Sequence, residues 1–290
     1  MSLFTAGILI IGDEILSGRT QDTNANFIAR NLTSSGIKLE EIRVIQDSKK
    51  IIIDSVKLFS EKYNYVFTTG GIGPTHDDIT SESLAEAFNK TYEINSEAYN
   101  ILEKYYPEGE FNISRQKMAK MPSDVELIYN PMTAAPGFKV SNVFVLPGVP
   151  KIMEQMLQDV LLKLKKGKPK KITTINTDLF ESKIAPSLND IQNQFTDCSI
   201  GSYPYFNLIS KTGGVNIVIS SWTMNSLTEI EKEIIKMIKL MVAITLLSDN
   251  TFFKLASWWN GRHKGLKILA LLGVPVQVRP RLPLKFKNNV

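Results

Sequence analysis

Val66-Phe67-Thr68-Thr69-Gly70-Gly71-Ile72-Gly73-Pro74-Thr75-His76-Asp77-Asp78-Ile79-Thr80 is a strand that runs into a glycine turn and then a helix with two acids at its mouth. Tyr65 to Thr69 is the short β-branched and aromatic run of a strand buried in a parallel sheet. Ser81 to Lys90 has the acidic start and apolar spacing of a helix. Glycine permits positive φ and close backbone approach, so the turn can aim N–H groups at an anion while the helix presents its positive end. Asp77 and Asp78 would repel a bare phosphate. They make sense where a divalent metal bridges them to it, or where one of them handles a proton. The alternative is a tight strand-to-helix connection in which Asp78 or Thr80 caps the helix.

Two further segments have the same grammar. Ala6-Gly-Ile-Leu-Ile-Ile-Gly-Asp-Glu-Ile-Leu-Ser-Gly18 is an apolar strand ending in Gly12-Asp13-Glu14, then a polar loop, Asp22-Thr-Asn-Ala25 and an amphipathic helix. Asn130-Pro-Met-Thr-Ala-Ala-Pro-Gly-Phe138 precedes a strand at Val143 to Leu146 and the turn Pro147-Gly-Val-Pro150, which opens a helix at Lys151 to Leu164. All three turns fall where a strand stops. In an open α/β sheet the carboxyl ends of parallel strands share one edge, so the turns should converge on one crevice.

Taken in order, these segments resemble the molybdopterin-binding (MoaB/Mog) domain, and Gly73-Pro-Thr-His-Asp-Asp78 looks most like its CinA branch. The resemblance implies a phosphate-bearing ligand such as molybdopterin, ADP-ribose or FAD. It also implies a homo-oligomer and divalent-metal-dependent cleavage with Mg²⁺, Mn²⁺ or Co²⁺, the alternatives being adenylylation of or insertion into molybdopterin, or a non-catalytic binding module. Within the crevice Gly70, Gly71 and Gly73 are expected to bind phosphate through backbone N–H groups, with Thr75, Thr80, Gly12 and Gly148 as further ligand contacts. Asp78, on the position of the family's motif acid, is the first candidate for metal coordination or proton transfer, and Asp77 the second. Asp13, Glu14 and Asp47 are the other candidate metal ligands, although Asp13 would equally cap its loop. His76 reads as an exposed turn residue, because one histidine makes no ligand set. Pro147 and Pro150 are expected to shape the far wall.

Strands and helices alternate through the first half: Gly7 to Ile11, Asp22 to Ser34, Lys38 to Ile45, Lys49 to Lys62, Tyr65 to Thr69 and Ser81 to Asn89. That order predicts an α/β fold with a doubly wound, mostly parallel sheet over residues 1–166. Asn95 to Tyr106 and Ile113 to Lys120 read as helices, and Val125 to Ile128 with Phe138 to Leu146 as the next strands. After the linker Gly167-Lys-Pro-Lys-Lys171, residues 172–248 read as a small β-α-β-β-α domain: strand Ile172 to Leu179, helix Glu181 to Gln194, strands Ser199 to Tyr205 and Val215 to Ser221, helix Leu227 to Leu247. Its Ile200-Gly-Ser-Tyr-Pro204 resembles a segment of standalone CinA-like proteins and of eukaryotic FAD synthases. A CinA deamidase domain would lie beyond this unit, so nicotinamide-mononucleotide deamidation is not expected, nor is FAD synthesis.

The chain of 290 residues carries 34 Lys and Arg against 29 Asp and Glu, a formal charge of +5. The excess is confined to residues 251–290, which hold eight basic residues and no acids, leaving 26 basic against 29 acidic before them. The body is thus mildly acidic, and no nucleic-acid partner is expected. The tail shows neither helix nor strand period. Its Trp259-Asn-Gly-Arg262, Leu266-Lys-Ile268, Val276-Gln-Val278 and Leu282-Pro283 back-translate into D-arm, anticodon, T-arm and CCA-like strings. The reading frame is therefore expected to run through a tRNA gene there, and the tail to be foreign to the fold, the alternative being a natural but poorly patterned tail that is basic or touches a membrane. Apolar runs are too short to span a bilayer, and Met1 to Ile11 lacks signal-peptide features. Cys198, the single cysteine, excludes an internal disulfide and fits a reducing cytoplasm.

Overall fold

A computed structural model describes residues 3–208 and 212–254. In chain order the first unit comprises β1 (Phe4–Ile11), α1 (Asp13–Leu16), α2 (Asn24–Ser34), β2 (Ile37–Ile45), α3 (Lys49–Lys62), β3 (Tyr65–Thr69), α4 (Thr80–Ala87), β4 (Tyr92–Ile94), α5 (Ser96–Tyr105), α6 (Ile113–Lys117), β5 (Lys120–Pro122), β6 (Glu126–Ile128), β7 (Gly137–Val140), β8 (Val143–Leu146) and α7 (Pro150–Lys163). The second comprises β9 (Lys171–Thr177), α8 (Glu181–Gln194), β10 (Ser199–Asn207), β11 (Thr212–Ser221) and α9 (Thr228–Lys254).

The main sheet has the order β2-β1-β3-β8-β7-β6. Its first four strands are parallel, while β7 pairs antiparallel with both β8 and β6. Strand alternation sends side chains to two cores. Leu9, Ile11 and Val66 pack with Ile52, Val56, Phe59 and Leu84 on one face. Ile8, Ile10, Phe67 and Phe144 pack with Ile28, Leu32, Met153 and Leu157 on the other. Helices cover both faces, as the alternating pattern predicts for a doubly wound sheet.

Helix starts follow local chemistry. Asp22 accepts from the N–H groups of Asn24 and Ala25, so α2 begins at Asn24 and Asp22 stays outside it as its acceptor. Asn95 and Asn112 cap α5 and α6, and Pro150 sits in the first turn of α7. The expected helix from Ile113 to Lys120 stops at Lys117. Lys120–Pro122 is instead a strand paired antiparallel with Tyr92–Ile94, in keeping with the bias of a residue before proline away from helical ψ. Phe138 to Leu146 is a hairpin, turned at Ser141 with φ 54°. The Asn142 amide ties that turn to the carbonyls of Ser60 and Tyr63.

The second unit is a sheet of order β10-β11-β9, all antiparallel. Val215, Ile217 and Ile219 pack on Ile184, Leu188, Ile230 and Ile234 of its two helices. Buried Cys198 lies among them, and burial pushes its thiol up, as for an unreactive core residue. The long last helix runs past Leu247 to Lys254. The remainder of the basic tail, with the segments that back-translate to tRNA-like strings, lies outside the described residues. Among the described residues no helix is long and apolar enough to cross a membrane.

Candidate functional site

Because β2, β1, β3 and β8 run parallel, their carboxyl ends deliver four segments to one edge: Asp47, Gly12 to Glu14, Gly70 to Asp78, and Pro147 to Val149. Together with the Asn130 to Pro136 loop they line a cavity of about 590 Å³. Of the residues expected from sequence, Gly12, Glu14, Asp47, Gly70, Gly71, Gly73, Asp77, Asp78, Pro147 and Gly148 face it. Asp13, Thr75, Thr80 and Pro150 are not among its lining residues, and His76 is exposed.

The glycines do different jobs. Gly70 has φ 104°, and a Cβ there would meet the Ile11 carbonyl oxygen at 2.1 Å. Its N–H already donates to Leu146 O at 3.2 Å, so Gly70 shapes the loop and is not an anion donor. Likewise the Gly12 N–H is taken by Ile45 O at 3.2 Å. Gly71, at φ 69°, faces Thr80, whose hydroxyl would lie 2.2 Å from an added Cβ. No hydrogen bond is formed by the N–H groups of Gly71, Ile72 or Gly73 within the described residues. These three amides are the donors left for an anion.

Thr80 is fully buried. Its hydroxyl donates to Gly70 O at 3.0 Å, and its N–H to Gly71 O at 3.0 Å, so it latches the glycine turn to the helix with both donors spent. Thr75 is also spent internally: its hydroxyl reaches the carboxylates of both Asp77 and Asp78, and its N–H donates to Asp78 Oδ2 at 2.8 Å. That hydroxyl holds the Asp77 carboxyl below the usual range, with smaller contributions from His76 and Lys117. On the opposite wall, buried Asn24 donates its Nδ2 to Gly148 O at 2.8 Å, leaving its Oδ1 without a partner. Asn130 braces the adjacent loop, bonding Thr133 and the Ala135 carbonyl and accepting from two amides.

Asp13 turns its backbone inward: its N–H donates to Asp47 Oδ2 at 2.9 Å. Glu14 folds over Gly12, its carboxylate oxygen 2.6 Å from where a Cβ would sit. Burial pushes the Asp47 carboxyl up, and the negative charges of Asp13, Glu14 and Asp77 push it further against the pull of that hydrogen bond. Among the described residues no three His, Cys, Asp or Glu side chains stand close enough to hold a metal ion. A hard cation here would draw on one or two carboxylates and complete its shell from ligand oxygens, which is the habit of Mg²⁺ at phosphate sites.

The apolar part of the cavity lining is supplied by Ile72, Met118, Ala135, Pro136, Val149 and Ile152. Met118 had no signal in the sequence, since it joins the crevice only through the tertiary fold, and Asn130 lay inside a quoted segment without a role of its own. Asn24 lay inside a quoted segment, but only its bond to Gly148 reveals its part.

Comparison with known proteins covers both units. Residues 7–166 match the family model of a probable molybdopterin binding domain, and residues 171–246 that of the FAD synthase middle domain. A protein of Archaeoglobus fulgidus is 39% identical over 198 residues, covering 68% of this chain and 84% of its own length. A probable FAD synthase of Caenorhabditis elegans is 33% identical over 80% of this chain, but the match spans only 50% of that relative. The crystal structure of a CinA protein of unknown function from Thermoplasma acidophilum aligns with a TM-score of 0.52 at 36% identity, over 55% of this chain and 97% of its own.

Proposed function

The chain belongs to the molybdopterin-binding-domain family, and from that premise we propose that its crevice takes an ADP-containing dinucleotide of the ADP-ribose or FAD type and hydrolyses the diphosphate with a divalent metal. The observation that carries this reading is the meeting of two incompatible sets on one sheet edge. Three unpaired amides at Gly71 to Gly73 suit a phosphate. Glu14, Asp47, Asp77 and Asp78 line the same cavity and would repel one. A cation between them resolves the conflict, and the upward push on Asp47 by burial, with a smaller one from its acidic neighbours, supports the need for one. When bound, the metal would polarise the diphosphate.

The chain's own residues would do the rest. Asp78 and Asp77, joined through Thr75, would hold the cation or orient a water and take its proton, the rest of the metal's shell coming from diphosphate oxygens and water. Gly71 and Gly73 would fix the phosphate. The apolar part of the cavity lining suits a planar ring system. The probable FAD synthase among the relatives supports an FAD-type substrate. A cytoplasmic homo-oligomer is part of the same reading, to be checked by light scattering.

The test incubates the full chain with ADP-ribose, with FAD, and with molybdopterin plus ATP, with and without Mg²⁺, Mn²⁺ or Co²⁺, beside Asp78→Ala. Metal-dependent release of AMP that the variant loses is the expected outcome. Pterin adenylylation would favour a molybdenum-cofactor enzyme, which the family model itself supports as second reading. Pterin binding without turnover would leave a binding module. Full activity of Asp78→Ala on every substrate would refute the catalytic assignment.

A further inference from the structure

One cation stands beside this acidic edge without lining it. Lys117, the last residue of α6, donates from Nζ to the carbonyl of Thr75, 42 residues away in sequence. Thr75 is the residue whose hydroxyl and N–H hold Asp77 and Asp78. We propose that Lys117 is a positioning residue of the crevice: from behind the Thr75–Asp78 turn it clamps the Thr75 carbonyl and so sets where the two aspartate carboxylates stand.

The lysine comes from a braced support. Asn112 Oδ1 accepts from the Arg115 N–H at 3.0 Å, and the Arg115 guanidinium bonds Glu110 and lies 4.2 Å from the Tyr106 ring centroid. Gln116 Nε2 donates to the Phe111 carbonyl at 3.1 Å. The next residue, Met118, lines the crevice. This lobe, inserted between β4 and β5, therefore touches the site twice, once as an apolar wall and once as a clamp. The clamped turn has little else to hold it, because Pro74, Thr75, His76 and Asp77 are all exposed. Its internal bonds are Asp78 N–H to Thr75 O at 3.3 Å, Thr75 N–H to Asp78 at 2.8 Å, and the Thr75 hydroxyl to the carboxylates of Asp77 and Asp78. An ammonium on the Thr75 carbonyl also puts a positive charge near Asp77, offsetting part of the repulsion between Asp77 and Asp47.

Lys117→Met and Lys117→Arg of the full chain test this by amide hydrogen exchange, by Mn²⁺ titration followed by electron paramagnetic resonance, and by ADP-ribose kinetics. Only the kinetic arm rests on the hydrolytic reading. A charge-assisted hydrogen bond lost from an exposed turn should speed exchange at Thr75 and Asp78 roughly ten-fold in Lys117→Met. Mn²⁺ affinity should fall by a similar factor, and kcat should fall more than KM rises, with unchanged thermal midpoint. Lys117→Arg should recover most of each loss. Unaltered exchange in Lys117→Met would overturn the clamp. Faster exchange with unchanged Mn²⁺ affinity would overturn the positioning role. Should the parent turn over no ADP-ribose, the hydrolytic reading falls while exchange and Mn²⁺ binding still decide Lys117.

Discussion

Replacing Gly70 by alanine isolates what the glycine turn contributes to the fold from what it contributes to a ligand. At φ 104° an L side chain is strained, which costs about 1–3 kcal/mol. The new Cβ would also stand 2.1 Å from the carbonyl oxygen of Ile11. That oxygen belongs to β1, in the middle of the main sheet, and cannot swing aside like a side-chain tip. Forcing strands apart in a packed core costs roughly another 1–3 kcal/mol. At roughly 2–4 °C per kcal/mol for a domain of this size, the thermal midpoint should fall by about 10 °C. Gly148→Ala is the control on the facing turn. Its Cβ would meet only the backbone of Gly70, Cα at 3.4 Å and N at 3.8 Å, ordinary contacts, so its midpoint should stay within about 2 °C of the parent. Circular dichroism melts of the three proteins decide the matter. If Gly70→Ala melts within about 3 °C of the parent, or Gly148→Ala drops as far, the assignment of Gly70 to backbone geometry is refuted.

Three other outcomes are expected. Gly71→Ala should destabilise because its Cβ would lie 2.2 Å from the Thr80 hydroxyl; in a double-mutant cycle with Thr80→Ala, which removes that oxygen, urea melts should show a favourable coupling of about 1 kcal/mol. Asp47→Asn should raise the thermal midpoint at neutral pH without added metal. It removes a charge disfavoured by burial and by Asp13, Glu14 and Asp77 while an oxygen remains for the Asp13 N–H; a lower midpoint would sink that reasoning, and Mn²⁺ should stabilise the variant less than the parent. Glu41 accepts from Tyr63, Lys62 and Arg43, which lower its carboxyl from 4.5 to about 2. A depressed folded-state value stabilises above the unfolded one, so this contribution should be intact above about pH 4.5 and disappear as pH falls through about 2. Glu41→Gln should flatten that part of the stability profile, and parallel profiles would contradict it.

The elements that were legible in sequence are those whose signal is local. Lys49–Lys62, Tyr65–Thr69 and Glu181–Gln194 have the bounds their periodicity predicts, because each runs between an apolar register and clear breakers. Strand Lys120–Pro122 was hidden, since three residues carry no period and their partner Tyr92–Ile94 lies far upstream. The site divides in the same way. Gly12, Glu14, Asp47, Gly70, Gly71, Gly73, Asp77, Asp78 and Gly148 could be placed on the crevice because each follows a strand's carboxyl end. Asn24, Lys117 and Asn130 could not be assigned roles, because each acts on a carbonyl or turn that only the folded chain brings near.

That division bears on what the crevice is for. A turn meant only to join strand to helix needs the positive φ of Gly70 and the latch of Thr80, and both are satisfied internally. It does not need three further amides without partners among the described residues, nor four carboxylates around one cavity with Asp47 pressed upward by burial and by its acidic neighbours. Amides left to water and a disfavoured Asp47 charge are both engaged by the same event, the arrival of a phosphate together with a cation. Neither alone suffices: an anion without the cation meets the acids, and a cation without the anion leaves the amides empty. Metal and dinucleotide should therefore bind with positive coupling, each raising the affinity for the other by the same factor. Calorimetric titration of ADP-ribose with and without Mg²⁺, and of Mn²⁺ with and without ADP-ribose, measures both sides of that equality. Independent binding of the two would remove the reason for reading the acids and the glycine amides as one site.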